Sequence, residues 1–300
     1  GDLDGVEVFR EATRILQFDH AGRPWLESLT TRPATQMGLD GAGHLAPGLP
    51  ADMIIFSARS FNEWLSRPQV DRLVMLGGKA IQTRLLKSRL GAIKSDDNAA
   101  ILKQKSRDFY WYSPTLKRQL DAVIADIMVT PKTLDELTHV LATCHALGIP
   151  VTPRGTGTGN YGQAMPLSGG VLLDLSAMNA IKSIGRGRVV TEPGAVLADI
   201  DHATRKDSGQ EVRLVPSTYH TATLGGFIAG GSGGVGSIRW GGLRDYGNII
   251  RLKVVTMEAS PRVLELTGDD LHKVSHAYGT NGIIVECEVP LAPAYPAGDV

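Results

Sequence analysis

The sequence predicts an α+β fold, with a small helix-plus-β unit at the start and a larger region where helices and strands alternate around a glycine-rich middle. Three observations carry that prediction. At 300 residues the chain exceeds what one hydrophobic core usually accommodates, so more than one packed unit is expected. Between residues 127 and 174, strand-length apolar runs bracket a segment of helical period. The 35 glycines crowd into residues 155–170 and 225–247, where backbone must approach something closely.

Composition narrows the partners. Lys plus Arg and Asp plus Glu are both 31, so no broad field gathers polyphosphate or anionic lipid, and nucleic acid is not an expected partner. Apolar runs such as residues 171–173 are far too short to span a bilayer, so no membrane span is expected. The opening GDLDGVEVF has neither the basic start nor the apolar middle of a secretory signal, and a cytoplasmic location is the expectation. Cys144 and Cys287 sit in apolar runs typical of buried thiols and are given no function.

In order along the chain, Val6, Phe9, Thr13 and Leu16 recur at helical spacing and predict an amphipathic helix over residues 3–18, ending near Gly22. A short helix follows over 26–39, then a strand at 53–56, then a hairpin of residues 72–76 and 80–81 turning at Gly77 and Gly78. These form a first unit, residues 1–86. Residues 87–105 are charged with no sustained apolar period and are read as a linker or a poorly packed helix, with 87–112 taken as the linker between the units. A second unit, 113–185, has a strand at 127–130 stopped by Pro131, a helix carrying Leu134, Leu137, Leu141, Cys144 and Leu147 and closed by Gly148, and strands at 150–153 and 171–174. A third, 186–296, contains the second glycine cluster and strands at 252–256 and 283–289.

The string PRGTGTGNYGQAMPLSGGVLLDLSAMNAI, residues 153–181, carries the chemistry. Glycines directly after a strand let successive N–H groups turn inward around a pyrophosphate, with Thr156, Thr158 and Asn160 adding side-chain donors. Glycine spacing alone is equally compatible with a turn. Further blocks follow in order: VVTEPGAVLADI at 189–200, PST at 216–218, TLGGFIAGGSGG at 223–234 and YGTNGIIVECEVPL at 278–291. With these, residues 113–293 resemble the vanillyl-alcohol oxidase and p-cresol methylhydroxylase family of FAD-linked oxidases, in particular its glycolate oxidase and D-lactate dehydrogenase branch.

The resemblance implies a p-cresol methylhydroxylase-type domain whose two α/β subdomains grip an extended FAD. Carried over by position, Pro153, Arg154, Gly155, Thr156, Gly157, Thr158, Gly159, Asn160 and Tyr161 would surround the pyrophosphate. Pro216, Ser217, Thr218, Thr223, Gly225 and Gly226 would line the flavin and its ribityl chain, and Gly230, Gly231, Ser232, Gly233 and Gly234 would approach from the other side. Ile283 and Ile284 would meet the adenine by backbone, while also reading as an ordinary core strand. Thr158 stands where some members carry a flavin-linked histidine, so the FAD is expected to be non-covalent. The implied activity is a flavin-linked oxidase or dehydrogenase of a 2-hydroxy acid or related alcohol, with a small-molecule substrate and an unidentified electron acceptor; oligomerisation is left open. In such proteins the substrate-holding residues come mostly from a later domain, expected to lie outside this chain, so no catalytic residue is assigned.

Residues 26–81, with TTRPATQMGLDGAGHLAPGLPADMIIFSA, resemble the tail of a cytosine-deaminase-like amidohydrolase. The metal ligands of that family lie upstream of its tail, His20 and His44 are isolated, and no metal site is expected. His272 and His276, four apart, are read as a solvated helix face, and Trp240 as either touching the cofactor region or packing in a core. Two alternatives stay open: a fragment of a fused metal hydrolase, and a flavin-binding module without independent turnover.

Overall fold

The computed structural model describes residues 5–16, 25–49, 52–56, 58–66, 72–76, 79–80, 83–231 and 233–295. The chain divides into two units, Gly1–Gln82 and Thr83–Val300.

In the first unit come α1 (Gly5–Leu16), α2 (Thr31–Gln36), β1 (Met53–Phe56), α3 (Phe61–Ser66), β2 (Arg72–Leu76) and β3 (Lys79–Ala80), the strands forming an antiparallel sheet in that order. Rings of Phe9, Phe56 and Phe61 gather on Trp64, with centroids 5.9, 5.5 and 5.7 Å away. The helix expected over 26–39 is instead a 3-10 turn, Trp25–Ser28, followed by α2. The hairpin glycines Gly77 and Gly78, together with Gly22 and His20, lie outside the described residues.

The second unit runs α4 (Thr83–Leu90), β4 (Ser95–Asp96), α5 (Ala99–Lys105), α6 (Pro114–Leu120), β5 (Ile127–Val129), α7 (Leu134–Leu147), β6 (Val151–Arg154), β7 (Val171–Asp174), β8 (Ile181–Gly185), β9 (Arg188–Thr191), α8 (Leu197–Ser208), β10 (Gln210–Val212), α9 (Leu224–Gly230), α10 (Ser237–Trp240), β11 (Arg251–Val255), β12 (Val263–Leu266) and β13 (Ile283–Pro293). A four-stranded sheet has the order β4-β5-β7-β6, with β5, β7 and β6 parallel and β4 antiparallel. A larger antiparallel sheet runs β12-β11-β13-β9-β8, with β10 also on β13. The fold is α+β, as the sequence predicts.

The boundary is a correction. Residues 87–112 are not a linker: α4 opens the second unit, β4 pairs with β5, and Leu86, Leu90 and Leu102 are buried. The elements there are short and half exposed, so each turn contributes one leucine to the interior and no apolar period accumulates.

Two larger apolar clusters lie either side of the late strands. Ile127, Val129, Leu137, Leu141 and Val171 pack with Ile283 and Val285, whereas Leu197, Ile200, Leu224 and Ile228 pack with Ile284, Cys287 and Val289. Strand β13 therefore serves both, its successive side chains alternating between them at its start. On the same strand Glu286 and Glu288 are buried but ion-paired: Glu286 with Lys182, Arg251 and Lys253 at 2.8, 2.9 and 3.0 Å, and Glu288 with Arg188 and Arg251. Among the described residues no helix is long and apolar enough to cross a membrane.

Candidate functional site

Helix α7 delivers the chain into the site. Thr133 caps its start by accepting from Glu136 N–H at 3.1 Å, and Gly148, at φ 65°, ends it through bonds to the carbonyls of Cys144 and His145. The reversal places β6 beside β7 in parallel, so the loop after Arg154 leaves from the carboxyl edge of that sheet, where α/β sheets hold their ligands.

What shapes the loop is Arg154. Its side chain is only 6% exposed, and its guanidinium donates to the carbonyls of Gly155 (3.3 Å), Thr156 (3.0 Å), Arg107 (2.8 Å) and Lys105. Burial lowers its pKa, with Asp174 and Asp108 opposing that. Asp108 completes the lacing by accepting from Tyr110 and Gly162 N–H groups, both at 2.9 Å, while Phe109 N–H donates to Gly159 O at 2.7 Å. Burial raises the Asp108 pKa against those bonds. The arginine's donors are thus spent within the loop and its neighbour segment. By contrast, among the described residues the N–H groups of residues 156–160 donate to no protein acceptor.

The opposite wall is α9 and the segment before it. Thr223 caps α9, accepting from Gly226 N–H at 3.3 Å, and Thr156 Oγ1 donates to Thr221 O at 2.6 Å, tying loop to wall. A Cβ at Gly155 would overlap Thr223 Oγ1, and one at Gly225 would stand 2.6 Å from Pro193 Cβ; glycine permits both close approaches.

Between these walls lies a cavity of about 460 Å3. Residues 153–161, 216–218, Thr223, Gly225, Gly226, Gly230, Gly231, Gly233, Ile283 and Ile284 all line it. Gly234 does not: its Cα faces Val215 O, where a Cβ would overlap the carbonyl, so this glycine serves backbone packing. Ser232 lies outside the described residues. Trp240 is also absent from the lining and instead sits beneath Arg213 and Arg239 on the far side of the 213–219 wall. Chain proximity to the glycine run gave no information about which side of that wall it faces.

His276 and Tyr278 were missed. The 3-10 turn Gly268–Lys273 ends before His276, which is therefore not on a shared helix face with His272. His276 and Tyr278 take positive φ, 62° and 52°, and line the cavity, with His276 Nε2 2.8 Å from Tyr278 Oη. Their N–H groups donate to Ile228 O and Ala229 O at the end of α9, which holds this sparsely populated conformation in place. Only the string YG, with glycine at 279, hinted at an irregular turn.

These features fit an anionic dinucleotide. The volume falls within the range of about 300–1,000 Å3 for cofactor pockets; among the described residues, N–H groups without a protein acceptor follow the end of a strand, and no carboxylate lines the cavity. Among the described residues no cluster of His, Cys, Asp or Glu suits a metal ion.

Comparisons with known proteins agree with that geometry. A pterin deaminase of Rhizobium rhizogenes (strain K84 / ATCC BAA-868) is 52% identical over 85 residues, 28% of this chain and 20% of that protein. Glycolate oxidase subunit GlcD of Bacillus subtilis (strain 168) is 32% identical over 196 residues, 61% of this chain and 39% of that protein. The chain thus spans about two fifths of the latter relative. Among solved structures, an alkyldihydroxyacetonephosphate synthase superposes with a TM-score of 0.63 at 19% identity, covering 72% of this chain and 42% of that one, a likeness of fold. Residues 125–265 match the family model described as an FAD binding domain.

Proposed function

We propose that the second unit is the cofactor-holding part of a flavin-linked oxidoreductase that oxidises a small 2-hydroxy acid or related alcohol. The observation that carries this is the cavity itself: a row of N–H groups at 156–160 that meet no acceptor among the described residues, held by a buried arginine, opposite a glycine-rich helix. In this reading residues 156–160 hold the cofactor's diphosphate, residues 216–218 with Thr223, Gly225 and Gly226 flank the flavin, and Ile283 and Ile284 meet the adenine. Bound FAD would supply a hydride acceptor. The chain's own part is to orient the cofactor and to present main-chain donors to its phosphates. Likeness to the glycolate oxidase subunit supports the substrate class. In this reading the two α/β subdomains correspond to the two sheets, with the first starting before residue 113, at β4, and the second taking in β8 before residue 186.

Thr158 lines the cavity and cannot form a histidyl bond, so the FAD is non-covalent in this reading. The test is the visible absorption spectrum of the purified chain before and after acid precipitation. Flavin bands that pass into the supernatant support the proposal. Bands retained in the pellet contradict the role given to Thr158, and a colourless chain that takes up no added FAD overturns the proposal. Bleaching of the bands by a 2-hydroxy acid tests the substrate class.

The pterin deaminase likeness supports a second element of the reading, that an amidohydrolase-like segment precedes the flavin domain. Whether it contributes a reaction is tested by assaying deamination of a pterin by the full gene product.

A further inference from the structure

Behind one wall of the cofactor cavity lies a second hollow of about 400 Å3. The stretch 213–219 separates the two: Pro216, Ser217 and Thr218 line the first, while Arg213, Val215 and Tyr219 line the second. A bridge between Val215 and Val235 holds the wall in place.

The lining of this hollow is electrostatically uneven. At one end every charge has a partner: Asp201 accepts from Val212 N–H at 3.0 Å, from Arg205 Nε at 2.7 Å and from the Tyr219 hydroxyl at 3.0 Å, and Arg205 also meets Glu211. At the other end stand Arg213 and Arg239, their Cζ atoms 4.3 and 4.9 Å from the Trp240 ring centroid. Among the described residues neither meets a carboxylate. Arg213 donates to the carbonyls of Leu291 and Gly247, at 3.4 and 3.5 Å, and Arg239 to the Tyr295 hydroxyl. Burial lowers the Arg213 pKa. A guanidinium stacked on an indole keeps its edge free to donate in plane, the geometry that matches a carboxylate or phosphate.

We propose that Arg213 and Arg239, braced on Trp240, form a binding site for the carboxylate or phosphate group of an acidic small molecule. The site stands whether or not FAD fills the neighbouring cavity. The test is calorimetric titration of the whole chain with inorganic phosphate and, separately, with benzoate, at an ionic strength held constant with chloride. Arg239 is exposed, so Arg239→Gln leaves the core intact; Arg213→Gln is the second variant, accepted if its thermal melt matches the parent. The parent chain is expected to bind at least one of the two anions saturably, with each variant weakening it by about tenfold or more. Binding of phosphate alone assigns a phosphate ester, and binding of benzoate alone a carboxylic acid. Failure of the parent to bind either anion, or binding by Arg239→Gln at parental affinity, overturns the proposal.

Discussion

Two glycines of nearly identical φ allow the Arg154 lock to be measured. Gly157 has φ 75° and Gly187 has φ 76°, so alanine at either incurs the same intrinsic cost of about 1–2 kcal/mol for the left-handed region. Their surroundings differ. A Cβ at Gly187 meets nothing within 4 Å, whereas one at Gly157 would overlap Arg154 Nη2 and stand 2.5 Å from Cζ. To make room, the guanidinium must leave the Thr156 carbonyl it donates to at 3.0 Å, and a buried charged donor left unsatisfied costs about 1–3 kcal/mol more. Gly157→Ala is therefore expected to cost about 2–5 kcal/mol and Gly187→Ala about 1–2. Urea unfolding at equal m-value reads the difference, and titration with FAD reads the consequence for the loop. Gly157→Ala should also lose FAD affinity, and Gly187→Ala should not. Equal destabilisation by the two, or full FAD affinity in Gly157→Ala, would refute the idea that Arg154 sets the loop.

Three further outcomes follow from the same structure. Burial would raise the Glu286 pKa, but pairing with Lys182, Lys253 and Arg251 outweighs it and brings the carboxyl down to about 2 from 4.5; stability from this group is present above about pH 4.5 and lost as pH falls towards 2, with a ceiling of about 3 kcal/mol. Glu286→Gln should flatten that part of an acid-unfolding curve, and an unchanged curve would contradict the assignment. Thr223→Val removes the cap of α9 and should cost about 1 kcal/mol in a thermal or urea melt, with Thr223→Ser restoring it. His276→Gly relieves a positive φ and should raise stability of the FAD-free chain by up to about 1 kcal/mol while weakening FAD binding; a variant that is stabilised and binds FAD as before would show that the strained turn is not held for the site.

Legibility of the sequence followed the length of the signal. Helix α7, with leucines at 134, 137 and 141 and glycine at 148, announced itself through period and stop residue, β5 and β7 followed from their apolar runs, and β6 from its place between the helix stop and the glycine loop. The loop after Arg154 was legible because its backbone geometry demands glycine. Residues 83–112 were not, because their part in the site is played by main-chain carbonyls of Lys105 and Arg107, which any residue type supplies. Asp108 went unnoticed for a related reason: its partners, Tyr110 and Gly162 N–H, carry no side-chain signature. His276 and Tyr278 reach the cavity only through an irregular turn, which periodicity reads as helix.

The strand β13 limits how a ligand can enter. Ile283 and Val285 belong to one apolar cluster and Ile284, Cys287 and Val289 to the other, so the clusters share one continuous backbone. Swinging the sheets apart would strip that strand from one cluster, an event on the scale of global unfolding. Admission to the cleft therefore falls to its rim, the turns at 155–163 and 276–279, where opening disturbs few packed side chains. In native-state hydrogen exchange the amides of β13 should be among the last to exchange, and those of the rim should exchange early and slow down when FAD is added.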